Sequence, residues 1–344
     1  MMKAVRFHEH GGPEVLRYED VPEPKVGGTD VLVRVKACAL NHLDLWTRKG
    51  MPGVKVPLPH ISGCDIAGEV AAVGELAGRV KVGDKVVVAP GLSCMQCPAC
   101  LSGRDNQCRQ YEIIGGYRVD GGFAEYVKIP EVNAIPLSAG FSFEQAAAIP
   151  LVFLTAWNML VNQAKVTAGE EVLVIGAGSG VGSAAVQIAK LFGARVIATA
   201  GDDAKLAKAK ALGADEAINH ATQDIQQEVR RLTNKRGVDV VFEHVGAAVW
   251  EKCLLSLAQG GRLVTCGATT GHDLKLDARY LFMRNLHVMG AFMGSKFDTL
   301  EVFRHVAAGR LKPVLDQAFS LKDAAKAQQM LEDRKQFGKL VLVP

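Results

Sequence analysis

The chain has 344 residues, enough for two domains with substantial cores. Hydrophobic residues make up 49% and aromatics 6%, which fits a folded α/β protein and excludes a largely disordered one. Its 40 basic and 36 acidic residues leave a formal charge of +4, too even to imply a nucleic-acid partner, and the basic spots Lys205-Lys208-Lys210 and Arg230-Arg231 read as solvated helix faces.

Met1-Met2-Lys3-Ala4-Val5-Arg6 runs directly into alternating sequence with no signal-peptide core. No uninterrupted 18-residue apolar span follows, so a cytoplasmic protein without a membrane partner is expected. Over residues 1–150, short β segments are punctuated by Gly and Pro. Val31 to Ala37, Asp65 to Val73 and Asp84 to Ala89 read as strands, with turns at Gly83-Asp84 and Gly121-Gly122. Such spacing with few helices predicts a small barrel or sandwich.

Inside this stretch, residues 91–110 carry Cys94, Cys97, Cys100 and Cys108, spaced C-x2-C-x2-C-x7-C. Disulfides or unrelated thiols are the plain alternative. Four of the eight cysteines crowd into fifteen residues of a chain with no secretory mark, which favours one tetrahedral Zn²⁺. Four sulfur ligands leave no open position, so this metal is expected to staple a lobe and do no chemistry.

The rhythm changes over residues 151–294. Glu171 to Ile175 is an apolar strand, followed by Gly176-Ala177-Gly178-Ser179-Gly180-Val181-Gly182 and a helix from Ser183 to Phe192. A strand at Ala194 to Ala198, a helix at Lys205 to Leu212, and strands at Val238 to Phe242 and Gly261 to Cys266 continue the alternation. This pattern predicts a doubly wound parallel sheet. A glycine-rich turn between strand and helix lets backbone N–H groups meet a pyrophosphate, so Gly178, Ser179, Gly180, Val181 and Gly182 are candidate cofactor contacts. The next strand ends at Thr199-Ala200-Gly201, without the acidic residue that usually holds an NAD ribose. NADPH is therefore expected and NADH is possible, with Lys205 as a source of positive charge and Asp202 and Asp203 as counter-evidence. Residues 295–344 carry two amphipathic helices and a strand at Lys339 to Val343, expected to pack back on the first domain.

Over nearly its full length the chain resembles the medium-chain dehydrogenase/reductase superfamily. The landmarks are Gly63-Cys64-Asp65-Ile66-Ala67-Gly68-Glu69-Val70, Val82-Gly83-Asp84-Lys85-Val86, the four-cysteine lobe, Gly121-Gly122-Phe123-Ala124-Glu125-Tyr126-Val127 and the glycine turn. The resemblance implies a GroES-like β-barrel catalytic domain, a Rossmann cofactor domain and a homodimer or homotetramer. It makes Asn285 to Gly294 the edge strand through which relatives pair. Where zinc-dependent alcohol dehydrogenases of this superfamily present three metal ligands, the matching positions are Asn41, Cys64 and Leu151. Leu43 stands where a relay hydroxyl is usual.

Asn41-His42-Leu43-Asp44-Leu45-Trp46-Thr47-Arg48-Lys49-Gly50 is similar instead to the quinone oxidoreductase branch, whose signature runs N-x-x-D-x-x-x-R-x-G. That branch uses NADPH and lacks catalytic zinc, although typical members also lack the cysteine lobe. The resemblance implies cofactor contacts at Asn41, His42, Thr155, Lys205, His220, Gly246, Gly267 and Lys339. It implies a catalytic set drawn from Asn41, Asp44, Trp46 and Cys64. Asp44 also suits a helix cap, Trp46 the core, and Cys64 a small buried hydrophobe. Cys38, His60, His244 and Cys253 read as structural.

The expected activity is hydride transfer from NADPH to an enone, quinone or enoyl-CoA ester, since the resulting enolate needs only hydrogen-bond donors for stabilisation. Two rivals stand beside it. One is a zinc alcohol dehydrogenase with an irregular site built from Cys64, Asp65 and His42 or His60. The other is a dinucleotide-binding protein with little turnover.

Overall fold

The computed structural model describes residues 1–344 and divides them into two compact units. The first comprises Met1–Leu151, Ser295–Ala307 and Pro313–Pro344; the second comprises Val152–Gly294 and Ala308–Lys312.

The first unit is built round one long strand, Asp30–Ala39, whose alternating Val31, Val33 and Val35 side chains enter the core. One edge of that strand pairs antiparallel with Asp65–Val73. Its other edge is shared, with Tyr126–Pro130 along Asp30 to Arg34 and Lys339–Val343 at Cys38 and Ala39. One strand with three partners rolls the sheet toward a barrel. Two register shifts opposite Asp65–Val73 supply the bend. Gly68 sits between those shifts, and a Cβ there would stand 2.1 Å from the Arg34 carbonyl oxygen. Lys85–Val88 and Ala134–Pro136 continue the sheet beyond Asp65–Val73. Leu315–Ser320, parallel to Lys339–Val343, closes the far side.

The second unit is a six-stranded, all-parallel sheet. Its order is Glu216–Asn219, Arg195–Ala200, Glu171–Val174, Val238–Glu243, Leu257–Thr265, His287–Gly290. The three central strands are near-continuous apolar runs because helices cover both faces. In chain order the strands run 3-2-1-4-5-6, so the connections leave in opposite directions between Glu171–Val174 and Val238–Glu243. That switch point is where a doubly wound sheet opens a crevice at the carboxyl ends of its strands. Element boundaries differ from the sequence reading by a few residues: the first helix spans Gly180–Leu191 and the second Asp203–Ala211. One helical stretch, Phe143–Gln163, has the length and mean hydropathy (1.2) of a membrane span, yet 78% of that window is buried, as in a core helix.

Candidate active site

The glycine turn follows directly from chain chemistry. Gly176 takes φ +64°, and a Cβ on Gly182 would stand 2.2 Å from the Gly176 oxygen, so only glycine allows the chain to fold this tightly. Ser179 caps the helix, its Oγ accepting from Gly182 N at 2.9 Å. Lys205 lies across Gly178: a Cβ there would meet the lysine stem at 3.0 Å. His220 faces Gly201 in the same way, with Nε2 3.3 Å from a Cβ built there. Asp202 Oδ1 caps the helix Asp203–Ala211 by accepting from Lys205 N at 2.8 Å. Asp203 Oδ1 accepts from Asn219 Nδ2 at 2.8 Å. Both acids are thus engaged by protein donors.

The other strand ends bring Gly246 and Gly267 to the same carboxyl edge. Gly246 has φ +90°, and a Cβ on Gly267 would crowd the His244 oxygen at 2.7 Å. Two residues organise this edge: Glu243, which the sequence did not single out, and His244, which it marked as structural. Glu243 is fully buried; its carboxylate accepts from Val245 N, Gly246 N (2.6 Å) and Thr265 Oγ1 (2.8 Å), tying the turn after one strand to the end of its neighbour. His244 Nε2 reaches back to the glycine turn, 2.9 Å from Ile175 O and 3.2 Å from Ser179 Oγ. Thr155 is buried, and its Oγ1 has no protein partner. An orphaned hydroxyl of this kind and a tight glycine turn at a helix N-terminus fit a nicotinamide dinucleotide. The residues that can hold it are Thr155, Gly178, Ser179, Gly180, Val181, Gly182, Lys205, His220, Gly246 and Gly267.

In the first unit three of the four predicted catalytic residues, Asn41, Asp44 and Cys64, lie together beside a buried ammonium group, and Trp46 does not. Lys339 is 3% exposed, and its three N–H bonds go to Leu40 O (2.6 Å), Asn41 Oδ1 (2.5 Å) and Asp65 Oδ2 (2.8 Å). Asn41 Nδ2 donates to Asp65 Oδ2 at 2.9 Å and contacts Cys64 Sγ at 3.4 Å. Asp65 Oδ1 accepts from Leu151 N at 2.7 Å. The amide of Asn41 and the ammonium of Lys339, both read from the sequence as cofactor contacts, are turned into this buried network.

Asp44 stands beside it, fully buried, accepting from Asn41 N (2.6 Å) and Gly63 N (3.0 Å). Burial pushes its carboxyl up to about 7, against the pull of those N–H donors and Lys339. Burial also raises the Cys64 thiol well above its ordinary value, and the nearby Asp65 and Asp44 add to the rise. His42 and Trp46, one turn apart on the helix His42–Lys49, are half-exposed and meet edge to face at 6.3 Å. Trp46 is therefore not a core side chain, and Leu45 fills that role. His60 is turned away from Cys64, bonding Gly115 O at 3.4 Å and pairing with Asp120.

The four cysteines of the lobe do converge: their sulfurs all lie within 4.8 Å of one another. Neighbouring pairs stand at 3.5 Å (Cys97–Cys100, Cys94–Cys108) and 3.9 Å (Cys94–Cys100). A tetrahedral cation with Zn–S near 2.3 Å sets its sulfurs about 3.8 Å apart, so the donor set fits zinc. Backbone N–H donors from Gln96 and Cys97 bring the Cys94 thiol down to about 6, while burial and the other thiols push Cys100 up to about 11. Four sulfurs this close cannot all ionise without a cation among them. Lys296 ties the lobe to the helix Lys296–Ala307: its Nζ bonds Gly91 O (2.7 Å) and Asp105 Oδ2 (3.1 Å), and its backbone N donates to Asp105 Oδ1 (2.8 Å).

Fold and site together define a nicotinamide-dependent oxidoreductase with a thiolate lobe on its barrel unit. The Alcohol dehydrogenase GroES-like domain model matches residues 27–139, and the Zinc-binding dehydrogenase model matches residues 180–308. A NAD-dependent alcohol dehydrogenase of Sulfurisphaera tokodaii is 33% identical, with 100% of each chain covered. Human quinone oxidoreductase is 30% identical over 100% of this chain and 98% of its own. A crystal structure of a NAD-dependent alcohol dehydrogenase is 50% identical with TM-score 0.96, covering 100% of both chains. The chain belongs to the medium-chain dehydrogenase/reductase superfamily.

Proposed function

We propose that this protein reduces an α,β-unsaturated carbonyl or a quinone with NADPH, using no catalytic metal. The observation that carries this reading is the Lys339 network. At the positions aligned with a catalytic zinc, Asn41 and Leu151 offer no anionic ligand. Asp65 is already paired with a buried ammonium 2.8 Å away, and Cys64 Sγ is in contact with Asn41 Nδ2 at 3.4 Å. A second cation there would have to displace Lys339 and pay desolvation for two charges.

A bound nicotinamide dinucleotide supplies the hydride. Thr155 can orient the carboxamide through its unpartnered hydroxyl, and the glycine turn and Ser179 hold the phosphates. His42 and Trp46 form a half-exposed face of their own helix. Delivery to the β-carbon leaves an enolate, which hydrogen bonds suffice to stabilise, and its α-carbon is protonated from water. NADPH is favoured over NADH because Lys205 lies over Gly178 beside the small residues Ala200 and Gly201. Asp202 and Asp203 are committed to a helix cap and to Asn219, which lessens their repulsion of a 2′-phosphate.

Acceptors of enone, quinone and enoyl-CoA type remain equal candidates. The relatives named NAD-dependent alcohol dehydrogenase favour a second reading, alcohol oxidation with NAD through an atypical metal site. A screen of NADPH and NADH oxidation against the three acceptor classes, with alcohols and NAD in parallel, separates the two. Reduction of an enone or quinone by a one-zinc protein supports the first. Alcohol oxidation by a two-zinc protein supports the second.

We further propose a homodimer paired along His287–Gly290, the sheet's edge strand. Val288, Phe292, Phe282 and Met283 expose apolar surface on or near it, and light scattering on the purified protein tests this. With eight unpaired cysteines and a thiolate lobe, a reducing compartment such as the cytoplasm suits the chain.

A further inference from the structure

We propose that His244 is a positioning residue of the cofactor turn: it holds the Ile175 carbonyl and so leaves the hydroxyl proton of Ser179 for a phosphate oxygen of the dinucleotide. The proposal rests on the dinucleotide reading above.

The argument is one of donors and acceptors. Ile175 O can only accept, so the ring nitrogen 2.9 Å from it must carry a proton. With Nε2 protonated, the same nitrogen cannot accept from Ser179, 3.2 Å away, and the serine oxygen is the acceptor there as well. That oxygen already accepts from Gly182 N at 2.9 Å. Both lone pairs of Ser179 Oγ are then filled, and its O–H has no protein acceptor. Ser179 is half-exposed at the start of a twelve-residue helix, where backbone N–H groups also face outward. A hydroxyl that can only donate, set among N–H groups, suits an anion.

The conclusion holds for the neutral ring and for the imidazolium, since both carry a proton on Nε2. Gly176 makes room for the contact: a Cβ there would stand 3.1 Å from His244 Nε2. Without the imidazole, the Ile175 carbonyl loses its donor. Ser179 loses the N–H that fills one lone pair of its oxygen, so its hydroxyl proton is no longer held outward.

The test is calorimetric binding of NADPH to the intact protein, with cofactor KM and kcat measured alongside. His244→Leu and Ser179→Ala are each expected to weaken binding about tenfold, and the double variant no more than about twofold beyond either. His244→Gln, whose amide N–H can reach the same carbonyl, is expected to stay within about threefold of the parent. KM should rise while kcat at saturating cofactor changes less than twofold. If His244→Leu fails to fold, His244→Asn, too short for the contact, replaces it. Unchanged affinity in His244→Leu, or losses that multiply in the double variant, overturns the proposal alone. A parent protein that binds neither NADPH nor NADH overturns the dinucleotide reading with it.

Discussion

The first unit packs polar side chains tightly together in two places, and they are built on opposite principles. In the lobe, four thiols sit half-buried to buried on a short loop, 3.5–3.9 Å apart where neighbours touch, a donor set that fits a divalent cation. At Lys339 the cation is a side chain of the protein. It is wholly enclosed, and its three protons match three acceptors from distant parts of the chain. A zinc-filled lobe would draw its stability from something supplied from solution, whereas the Lys339 network is complete when the chain folds. A cross-link that must also do chemistry needs an open coordination position, and neither cluster provides one.

Four perturbations sharpen that contrast. Stripping zinc with a chelator, or Cys100→Ser, should have the largest effect. Because metal binding at such sites is itself folding free energy, we predict loss of lobe structure and a marked fall in Tm, followed by thermal unfolding with metal analysis. The same chelator should leave the Lys339 network intact, so hydrogen exchange at Leu151, whose N–H bonds Asp65, should stay slow.

Lys339→Met comes next. It strands the Asp65 carboxylate in the core, a loss of about 3–5 kcal/mol, and Asp65→Asn added to it should restore a large part; denaturant unfolding reads both. Lys296→Ala removes three lobe contacts, to Gly91 O, Ser93 Oγ and Asp105, and should cost about 2 kcal/mol while speeding zinc release to a chelator.

The smallest expected effect is on pH dependence. Asp44 has a folded-state value of about 7, above the ordinary value of an unfolded aspartate. Its protonated form is the one the fold prefers. The associated stability is fully present below about pH 4 and is lost as pH rises through 7. Asp44→Asn, which cannot ionise, should therefore remove this loss of stability between pH 5 and pH 8, which melting curves at stepped pH would reveal as a flatter profile.

The contrast also explains what could be read from the residues alone. The cysteine lobe and the glycine turn are local: their spacing lies within a dozen or so residues, and spacing is the geometry. The bent barrel strand and the parallel sheet were legible for a similar reason, through period-2 alternation and apolar runs. Lys339 was not. It lies 298 positions from Asn41 and 274 from Asp65, and no pattern in either segment shows that an ammonium will be enclosed there. Glu243 was missed, and His244 was read only as structural, because nothing near them marks which strand end they would tie. The strand Leu315–Ser320 escaped because only Phe319 along it is buried, leaving no alternation to detect.

The most direct test of the central claim is the metal content of the native protein, measured on the sample used for turnover. The account predicts one zinc per chain together with NADPH-dependent reduction of an enone, quinone or enoyl-CoA. Two zinc ions per chain, with activity lost when the second is withdrawn and Lys339 displaced from Asp65, would contradict it.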